Sequence, residues 1–462
     1  MFTIGEIAKA TAGEIIEGQA ETQIKGVSID SRTLKQGELF VAIKGERFNG
    51  HSFVEQARSK KAKAILISDI RFVANKKNSG NSNAIAIIKV KDTVRALGAL
   101  AHWHRMKFRI PLIAVTGSNG KTTTKEMISA LLKNKFNVLY NQGTQNNHIG
   151  VPLTLFRLRR KHSACVLEMG ANHPGEIDTL SWIAQPTLAV ITNIGPTHLE
   201  FFKTLQGVLK AKIEMINNLA KNGKLIVNKD DRFLFNLADR PVRTITFGVN
   251  QYADYSAEIT GQTKKGTSFL LNRRHQLTLK ALGRHNVYNA LASIACARNF
   301  GLGYNVIKDT LVSFKAPPMR MQVLDVKGIR FVVDCYNSNP QSLKCALDFL
   351  KDSTVAGNKI AICGDMLELG KRSQSYHFEI GRKVAQDKID FLITLGRSAR
   401  YITSGASAAG MPKTKIYDCY DCREIADILR KVGGPGDMVL LKGSRAMKME
   451  NILECFTGSF TR

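Results

Sequence analysis

The chain has 462 residues, of which 44% are hydrophobic and 23% charged, a composition typical of a folded protein and not of a disordered one. Lys and Arg outnumber Asp and Glu by 67 to 38, which leaves a polyanionic partner open. There is no apolar run of roughly eighteen residues, and the first residues lack the pattern of a signal peptide. We therefore expect a cytoplasmic protein with no membrane insertion.

The basic residues are spread along the chain and are not gathered into one arm interleaved with aromatic residues. This distribution favours a basic surface on a nucleotide-handling enzyme over specific nucleic-acid binding. A P-loop ATPase that acts on DNA or RNA stays open as the alternative from a different class of protein.

Eight cysteines are scattered along the chain, and in a long intracellular chain such residues are usually reduced thiols. Cys419 and Cys422 form a single C-x-x-C, but no second pair or nearby His completes a zinc set. We therefore expect neither zinc nor redox chemistry there.

The length predicts about three domains. Short apolar runs at 40–43, 64–67 and 84–88 alternate with helical patterns and predict a small α/β domain over residues 1–88. A helical pattern over 92–107 then opens a second domain, predicted over 89–314. Its buried strands are predicted at 112–115, 165–167, 188–192 and 224–227. Their spacing fits a parallel sheet with crossover helices.

Pro317 and Pro318 break any helix and mark the start of a third domain, predicted over 315–462. Most of its predicted strands are followed by a loop and a helical pattern. They are expected at 331–333, 359–362, 391–394 and 438–441. This order predicts a Rossmann-like, doubly wound domain.

The segment Gly117–Thr122 reads G-x-x-G-K-T, follows an apolar strand and precedes a helical run over 123–132. Glycines let backbone N–H groups approach phosphates, Lys121 meets their charge, and Thr122 offers a hydroxyl to Mg²⁺. The spacing is two residues shorter than the usual P-loop, and a plain glycine-rich turn is the alternative. We predict ATP binding by Gly117, Ser118, Asn119, Gly120, Lys121, Thr122 and Thr123.

Two candidate metal ligands follow later strands of the same predicted sheet. Glu168 ends one strand, where side chains project from the carboxyl edge towards a ligand crevice. His198 follows the next strand at the same edge and is a candidate for a second metal ion. A loop histidine by itself is more often solvated or packed, so its position beside the other strand ends carries this prediction.

These motifs occur together with others in a fixed order. They are T-G-S-N-G-K-T-T, Gln145–Gly150, Glu168-Met-Gly, Asn193–His198, Ala211-Lys-Ile-Glu and Gly283–Asn289. In this combination the chain resembles the Mur ligases over its whole length. The resemblance implies three α/β domains: a UDP-binding domain, a central P-loop ATPase domain and a C-terminal Rossmann-like ligase domain.

The same resemblance implies roles for residues that their types alone do not reveal. Asn146 and Asn147 are expected near the metal and phosphates, and Asn286 and Asn289 near the ATP base and phosphates. Arg320 matches an arginine that reaches the nucleotide when the third domain closes. Lys212, which in a helix would otherwise be solvated surface, matches a lysine that is carbamylated and helps to bind the second of two Mg²⁺ ions.

The first and last domains indicate which kind of Mur ligase is present. Ser31, Arg32 and Lys44 lie in segments that resemble the UDP-binding domain, Ile29–Arg32 and Phe40–His51. Asp334–Pro340 and Cys363–Gly370 resemble the ligase that adds D-alanyl-D-alanine, and the D-N-P-R motif of the tripeptide-forming ligases is absent. Asp334 is then expected at the ATP ribose. Tyr336, Asn337 and Asn339 are expected near the dipeptide.

The resemblance thus implies an ATP-dependent amide ligase that joins D-alanyl-D-alanine to a UDP-N-acetylmuramoyl tripeptide through an acyl phosphate. We expect a monomer with these two substrates and no specific nucleic-acid partner. A tripeptide-forming Mur ligase is the nearest alternative.

Overall fold

A computed structural model describes residues 1–45, 48–73, 85–239, 242–263 and 266–458. Within these ranges the chain forms five-stranded, nine-stranded and six-stranded sheets, one after another along the chain, and one two-stranded ribbon. The predicted α/β class is confirmed. The domain boundaries drawn at residues 88 and 314 stay predictions.

The N-terminal part is a small sheet flanked by short helices. Its elements are β1 (Phe2–Thr3), α1 (Ile4–Thr11), β2 (Glu14–Glu17), β3 (Gln23–Ile24), β4 (Val27–Ser28), β5 (Leu39–Val41), α2 (Val54–Ser59), β6 (Ala64–Ile67) and β7 (Ala86–Lys89). The sheet order is β2-β7-β6-β5-β4, and only β2 runs antiparallel to its neighbour. Ala84 of the third predicted run, and residues 46 and 47 of the Phe40–His51 segment, lie outside the described residues.

The central part holds the largest sheet. Its elements are α3 (Thr93–Met106), β8 (Leu112–Thr116), α4 (Lys121–Leu132), β9 (Val138–Tyr140), α5 (Gly150–Leu155), β10 (Ala164–Glu168), α6 (Glu176–Ala184), β11 (Leu188–Ile191), α7 (Leu199–Phe202), α8 (Leu205–Ile213), β12 (Lys224–Asn228), β13 (Arg243–Gly248), β14 (Tyr255–Thr263), β15 (Gly266–Leu271), β16 (His275–Leu279), α9 (Arg284–Asn299) and α10 (Tyr304–Ser313). The order is β16-β15-β14-β13-β12-β11-β8-β10-β9, parallel from β9 to β14.

Strand β8 lies between β10 and β11, and all three are buried along their whole length, as their continuous apolar sequences predict. Glu168 of β10 pairs with Val115 of β8, and Ile191 of β11 pairs with Thr116. The three strands therefore end at the same level, so the loops that follow them meet at one edge of the sheet.

Helix α3 begins after Asp92, whose side chain accepts hydrogen bonds from the backbone of Val94 (2.8 Å) and Arg95 (3.0 Å). The helix packs against α1 of the N-terminal part and against α5 and α6 of the central part. It therefore joins the two parts through an apolar contact.

The C-terminal part contains β17 (Gln322–Val326), β18 (Ile329–Val333), α11 (Pro340–Asp352), β19 (Lys359–Gly364), α12 (Ser373–Gln386), β20 (Phe391–Leu395), α13 (Arg400–Ala408), β21 (Ile416–Cys419), α14 (Cys422–Val432), β22 (Met438–Lys442) and α15 (Asn451–Thr457). The order is β17-β18-β22-β19-β20-β21, parallel except for β17. This is the predicted doubly wound sheet with an additional antiparallel edge strand.

In the parts of the chain that the structure describes, no helix is both long and apolar enough to cross a bilayer.

Candidate active site

A cleft of about 810 Å³ lies between the central and C-terminal parts of the chain. The central part contributes residues from the loop after β8, from the ends of β10 and β11 and from the start of α9. The C-terminal part contributes residues from the segment before β17, from the loop after β18, from α11 and from the end of β22. The lining includes Ser118–Thr123, Asn146, Asn147, Glu168, His198, Asn286, Asn289, Arg320, Asp334, Tyr336, Asn337, Asn339, Gln341 and Lys442.

The loop after β8 has a backbone that only glycine allows at two positions. Gly117 has φ +140° and Gly120 has φ +81°. A Cβ atom at Gly117 would overlap Thr192 Oγ1, and one at Gly120 would overlap Asn289 Oδ1. The glycines therefore allow the loop to lie against β11 and α9, and the N–H groups of Ser118 and Asn119 donate to Asn193. The start of α4 is the part of this segment suited to an anion.

Lys121 begins α4 and folds back over this loop. Its Nζ donates hydrogen bonds to the carbonyl oxygens of Gly117 (2.9 Å) and Ser118 (3.1 Å). Burial lowers the pKa of Lys121, and the nearby Glu168 carboxylate opposes that shift. The lysine thus places its positively charged amine beside the loop and the end of β10, a position suited to binding phosphate oxygens.

Glu168 has the features of a metal ligand. It is 3% exposed, and its Oε1 accepts a hydrogen bond from Asn146 Nδ2 at 2.8 Å. Its Oε2 is buried and has no hydrogen-bond partner among the described residues. A buried carboxylate oxygen without a donor is costly, so this atom fits a cation ligand.

Thr122 and Arg320 connect the two sides of the cleft. Arg320 Nη2 donates to Thr122 Oγ1 at 2.9 Å, and its guanidinium lies over the Tyr336 ring, 4.1 Å from the centroid. An arginine from the C-terminal part thus contacts the phosphate-loop helix. Its contact with the nucleotide stays a prediction.

His198 immediately precedes α7 and has a left-handed backbone, φ +49°. Its Nδ1 is hydrogen-bonded to Glu368 Oε2 of the C-terminal part. Burial lowers the pKa of His198, and the Glu368 carboxylate opposes that shift. A hydrogen bond at one ring nitrogen orients the imidazole so that the other can serve as a ligand.

No group of three or more His, Cys, Asp and Glu side chains in the described residues is arranged to hold a metal ion. The candidate ligands at the cleft are one hydroxyl, one carboxylate and one imidazole. Such a sparse set is compatible with Mg²⁺, which keeps several waters and binds phosphate oxygens.

Lys212 lies in α8, behind the wall of the cleft. It is 1% exposed, and its Nζ lies 3.5 Å from the carbonyl oxygen of Ala171, a residue of the cleft lining. Burial lowers its pKa to about 7, and the positive charge of Lys121 acts in the same direction. Burial therefore favours the neutral form of this amine.

Four of the seven asparagines predicted at the site, Asn146, Asn147, Asn286 and Asn289, line the central side of the cleft. Asn146 contacts Glu168, whereas Asn147 Oδ1 accepts from the backbone of Ile149 (3.1 Å) and Gly150 (2.9 Å) at the start of α5. Asn289 Nδ2 donates to Asn286 Oδ1 at 2.9 Å. Asn289 Oδ1 in turn accepts from Thr124 Oγ1 at 3.2 Å, which links α9 to α4, the helix that follows the phosphate loop.

The C-terminal wall contains a buried ion pair that the sequence did not single out. Lys442 ends β22 and is 1% exposed; its Nζ lies 2.6 Å from Asp334 Oδ2 and 3.1 Å from the carbonyl oxygen of Asn337. It therefore fixes the loop that carries four predicted site residues, Asp334, Tyr336, Asn337 and Asn339. A lysine at the carboxyl end of a buried apolar strand is the signal that would have identified it.

Two further residues of the C-terminal part, Gln341 in this wall and Glu368 beside it, also had no predicted role. Their partners Asn119 and His198 belong to the central part. No local pattern marks them, because each acquires its partner only through the placement of one domain on the other.

The three residues predicted to bind UDP do not line this cleft. Ser31 Oγ donates to Gln56 Oε1 at 2.6 Å, and the side chain of Arg32 is 82% exposed beside Asp30. Lys44 is exposed on a hairpin-like bridge to Asn49. These residues lie on the N-terminal part, and their proposed role stays a prediction.

Three family models match successive parts of the chain. They describe the Mur ligase family catalytic domain at residues 23–105, the Mur ligase middle domain at 115–297 and the Mur ligase glutamate ligase domain at 319–445.

Similar proteins cover almost the whole chain. The UDP-N-acetylmuramoyl-tripeptide–D-alanyl-D-alanine ligase of Bacillus subtilis is 37% identical over 455 residues, 98% of this chain and 97% of that one. A MurF crystal structure from Acinetobacter baumannii has a TM-score of 0.89 at 31% identity and covers 99% of both chains. A MurF ligase from Thermotoga maritima, solved in complex with ADP, has a TM-score of 0.83 at 31% identity and covers 94% of this chain and 97% of that one. The chain described here belongs to the Mur ligase family.

Proposed function

We propose that the protein is the ATP-dependent ligase that joins D-alanyl-D-alanine to a UDP-N-acetylmuramoyl tripeptide in peptidoglycan precursor synthesis. The observation that carries the proposal is the shared cleft, in which a phosphate loop and a buried carboxylate face a C-terminal wall containing Asp334–Pro340. The full-length similarity to ligases named for this reaction supports it. A monomeric, cytoplasmic enzyme stays a prediction.

The first step activates the carboxylate of the tripeptide. Its oxygen bonds to the γ-phosphorus of ATP, the bond to the β–γ bridging oxygen breaks, and ADP leaves an acyl phosphate. Lys121 lies at the phosphate loop and stabilises the negative charge on the transferring group. Arg320, held at Thr122 from the other side, adds a second positive charge.

Mg²⁺, when bound, would neutralise phosphate charge and orient the γ-phosphate for in-line transfer. Thr122 and Glu168 are the proposed ligands of one ion, and His198 and carbamylated Lys212 of the second. The unpartnered Oε2 of Glu168 is the main support for the first assignment.

In the second step the amine of the dipeptide attacks the acyl carbon, and the bond from that carbon to the phosphate oxygen breaks. Tyr336, Asn337 and Asn339 are the proposed dipeptide contacts, on the loop that Lys442 fixes. An acyl phosphate hydrolyses when water enters, so contact of the C-terminal part with the phosphate loop protects it. Asp334 is proposed to bind the ATP ribose, and Asn286 and Asn289 to lie near the base and phosphates.

The proposed carbamate forms when the neutral amine of Lys212 adds to carbon dioxide and releases a proton. Burial and a lowered pKa supply that neutral amine. Lys212→Ala is expected to lose activity that a short carboxylic acid partly restores. Full activity of the unrescued variant would contradict the carbamate.

Amide formation by the purified protein tests the proposal. Mg-ATP, D-alanyl-D-alanine and a UDP-muramoyl tripeptide with lysine or diaminopimelate at its third position should give the UDP-muramoyl pentapeptide with one of the two tripeptides, and phosphate release should need both peptide substrates. Ligation of a single diamino acid to a UDP-dipeptide would identify a tripeptide-forming ligase instead. Phosphate release stimulated by DNA or RNA would identify a nucleic-acid ATPase.

A further inference from the structure

The first turn of α11, in the C-terminal part, lies directly on the phosphate loop of the central part. Asn339 Nδ2 donates to Asn119 Oδ1 at 2.7 Å, and Asn119 Nδ2 donates to Gln341 Oε1 at 3.1 Å. Both polar atoms of the Asn119 side chain therefore contact the C-terminal part.

The backbone of Asn119, in contrast, is held within the central part. Its N–H donates to Asn193 Oδ1 at 2.9 Å, and its carbonyl accepts from Thr192 Oγ1 at 2.6 Å. Because the backbone is anchored to the end of β11, the direction of the Asn119 side chain depends on the conformation of the phosphate loop. A change in the conformation of the phosphate loop is therefore transmitted to the C-terminal part through the Asn119 side chain.

Gln341 makes a second contact with the central part at Gly195, where a Cβ atom would overlap Gln341 Oε1. Gly195 is itself tied to the loop, because its N–H donates to Ser118 Oγ at 2.9 Å and its carbonyl accepts from Ser118 Oγ at 3.1 Å. Gln341 therefore fits between the phosphate loop and the loop after β11.

The segment before α11 carries the candidate dipeptide residues. Asn339 caps the helix, since its Oδ1 accepts from the backbone of Ser342 at 2.9 Å. Tyr336 and Asn337 lie three and two residues before this cap and line the cleft. A shift of the first turn of α11 would therefore move both residues with it.

We propose that Gln341 is a positioning residue that couples nucleotide binding at the phosphate loop to dipeptide binding at the loop before α11. A nucleotide that orders the phosphate loop favours the conformation in which Asn119 meets Gln341 and Asn339, and this places Tyr336 and Asn337. Such coupling is reciprocal, so the dipeptide tightens nucleotide binding by the same factor. The inference rests on the proposed ligase function.

Two substitutions break this contact from opposite sides. Gln341→Met has a similar length but no acceptor for Asn119, and Gly195→Ala displaces the Gln341 amide oxygen. Each is expected to raise KM for D-alanyl-D-alanine about tenfold, because coupling between sites is typically ~5–150-fold. The ADP affinity measured without dipeptide should stay within about twofold of the wild type, because the coupling between the two sites acts only when both ligands are bound. Lys344→Met is the matched control, on the same helix and paired only with Glu379 among the contacts described.

Calorimetry then separates coupling from a structural defect. The dipeptide is titrated into protein saturated with UDP-muramoyl tripeptide, with and without a non-hydrolysable ATP analogue. The analogue should tighten dipeptide binding on the order of tenfold in the wild type and in Lys344→Met, and hardly at all in Gln341→Met. The double variant should be no weaker than either single variant, because both remove the same contact.

Retention of the wild-type coupling factor by Gln341→Met would overturn the inference, as would additive losses in the double variant. If Gly195→Ala does not fold, Gln341→Met decides the question alone. A wild-type protein that forms no amide would instead refute the proposed function, so the two failures are distinguishable.

Discussion

The two walls of the cleft are held in different ways. On the central wall, Glu168 and Asn289 are buried and bonded to neighbours in the same part of the chain. On the C-terminal wall, Arg320, Gln341 and Glu368 contact partners across the cleft. We therefore expect the central wall to bind the nucleotide phosphates by itself, and the C-terminal wall to contribute only when the two parts meet. Substitutions on the two walls should separate these roles.

The largest effect is expected from Lys121→Ala on the central wall. Loss of the cation at the phosphate loop should lower kcat/KM for ATP about a thousandfold, the upper range for one transition-state donor. Nucleotide affinity, measured with a fluorescent ADP analogue, should fall as well. Lys133→Ala, an exposed change just after the same helix, is the control. Normal nucleotide binding by Lys121→Ala would contradict the assignment.

Glu168→Gln tests the carboxylate with little change of shape. The amide oxygen can still accept from Asn146, but the charge is lost, so activity should fall about a hundredfold or more, as for loss of one electrostatic contact in a buried site. The thermal midpoint of the protein without ligands should not fall, because Oε2 has no protein donor to lose.

The response of the thermal midpoint to Mg²⁺ distinguishes the loss of a metal ligand from a general loss of stability. Adding Mg²⁺ to the ADP complex should raise the thermal midpoint of the wild type and of Glu258→Gln, an exposed control on β14. Glu168→Gln should lose most of that increase, and chelation with EDTA should abolish it in all three proteins. An undiminished Mg²⁺ effect in Glu168→Gln would exclude this carboxylate as a ligand.

Lys212→Met should lower activity by up to about a hundredfold, the range seen when supporting groups of a metal site are lost. It should also remove a pH dependence of stability in buffer free of carbon dioxide. The pKa of Lys212 is lowered to about 7 in the folded state, whereas an exposed lysine keeps its proton to a pH near its ordinary value, about 10.4. Between these pH values the unfolded chain binds more protons, so wild-type stability should rise with pH relative to Lys212→Met.

Urea unfolding of both proteins at pH 7 and pH 10 measures this difference. Each unit of pKa shift corresponds to ~1.4 kcal/mol, so the expected relative gain is several kcal/mol. Parallel stability curves would show that Lys212 is not held as a buried amine.

The difference between the two walls also explains which site residues could be predicted from the sequence. The central wall follows from local patterns: β8, β10 and β11 are apolar runs, and the glycines and Lys121 occupy a recognisable spacing between a strand and a helix. The family resemblance supplied Lys212, whose burial no local pattern indicates. Gln341 and Glu368 could not be assigned roles, because their partners lie more than a hundred residues away in sequence.

The antiparallel extension of the central sheet was missed for a different reason. In β14 buried and exposed positions alternate irregularly, and a register shift interrupts its pairing with β15 between Ile259 and Gly261. A bulge of this kind disrupts the period-two pattern from which strands are predicted.

Glu368→Gln is expected to give the smallest effect and tests the C-terminal wall most directly. The amide keeps a hydrogen-bonding group near His198 Nδ1 but removes the charge that favours its proton, so the imidazole is oriented less firmly. Activity should fall about tenfold, the lower range for a group that supports a metal ligand, while ADP affinity stays unchanged. Glu379→Gln, an exposed change on α12, is the matched control. An equal loss of ADP affinity and turnover would mean that the C-terminal wall also holds nucleotide before the domains meet, and the distinction between the two walls would fail.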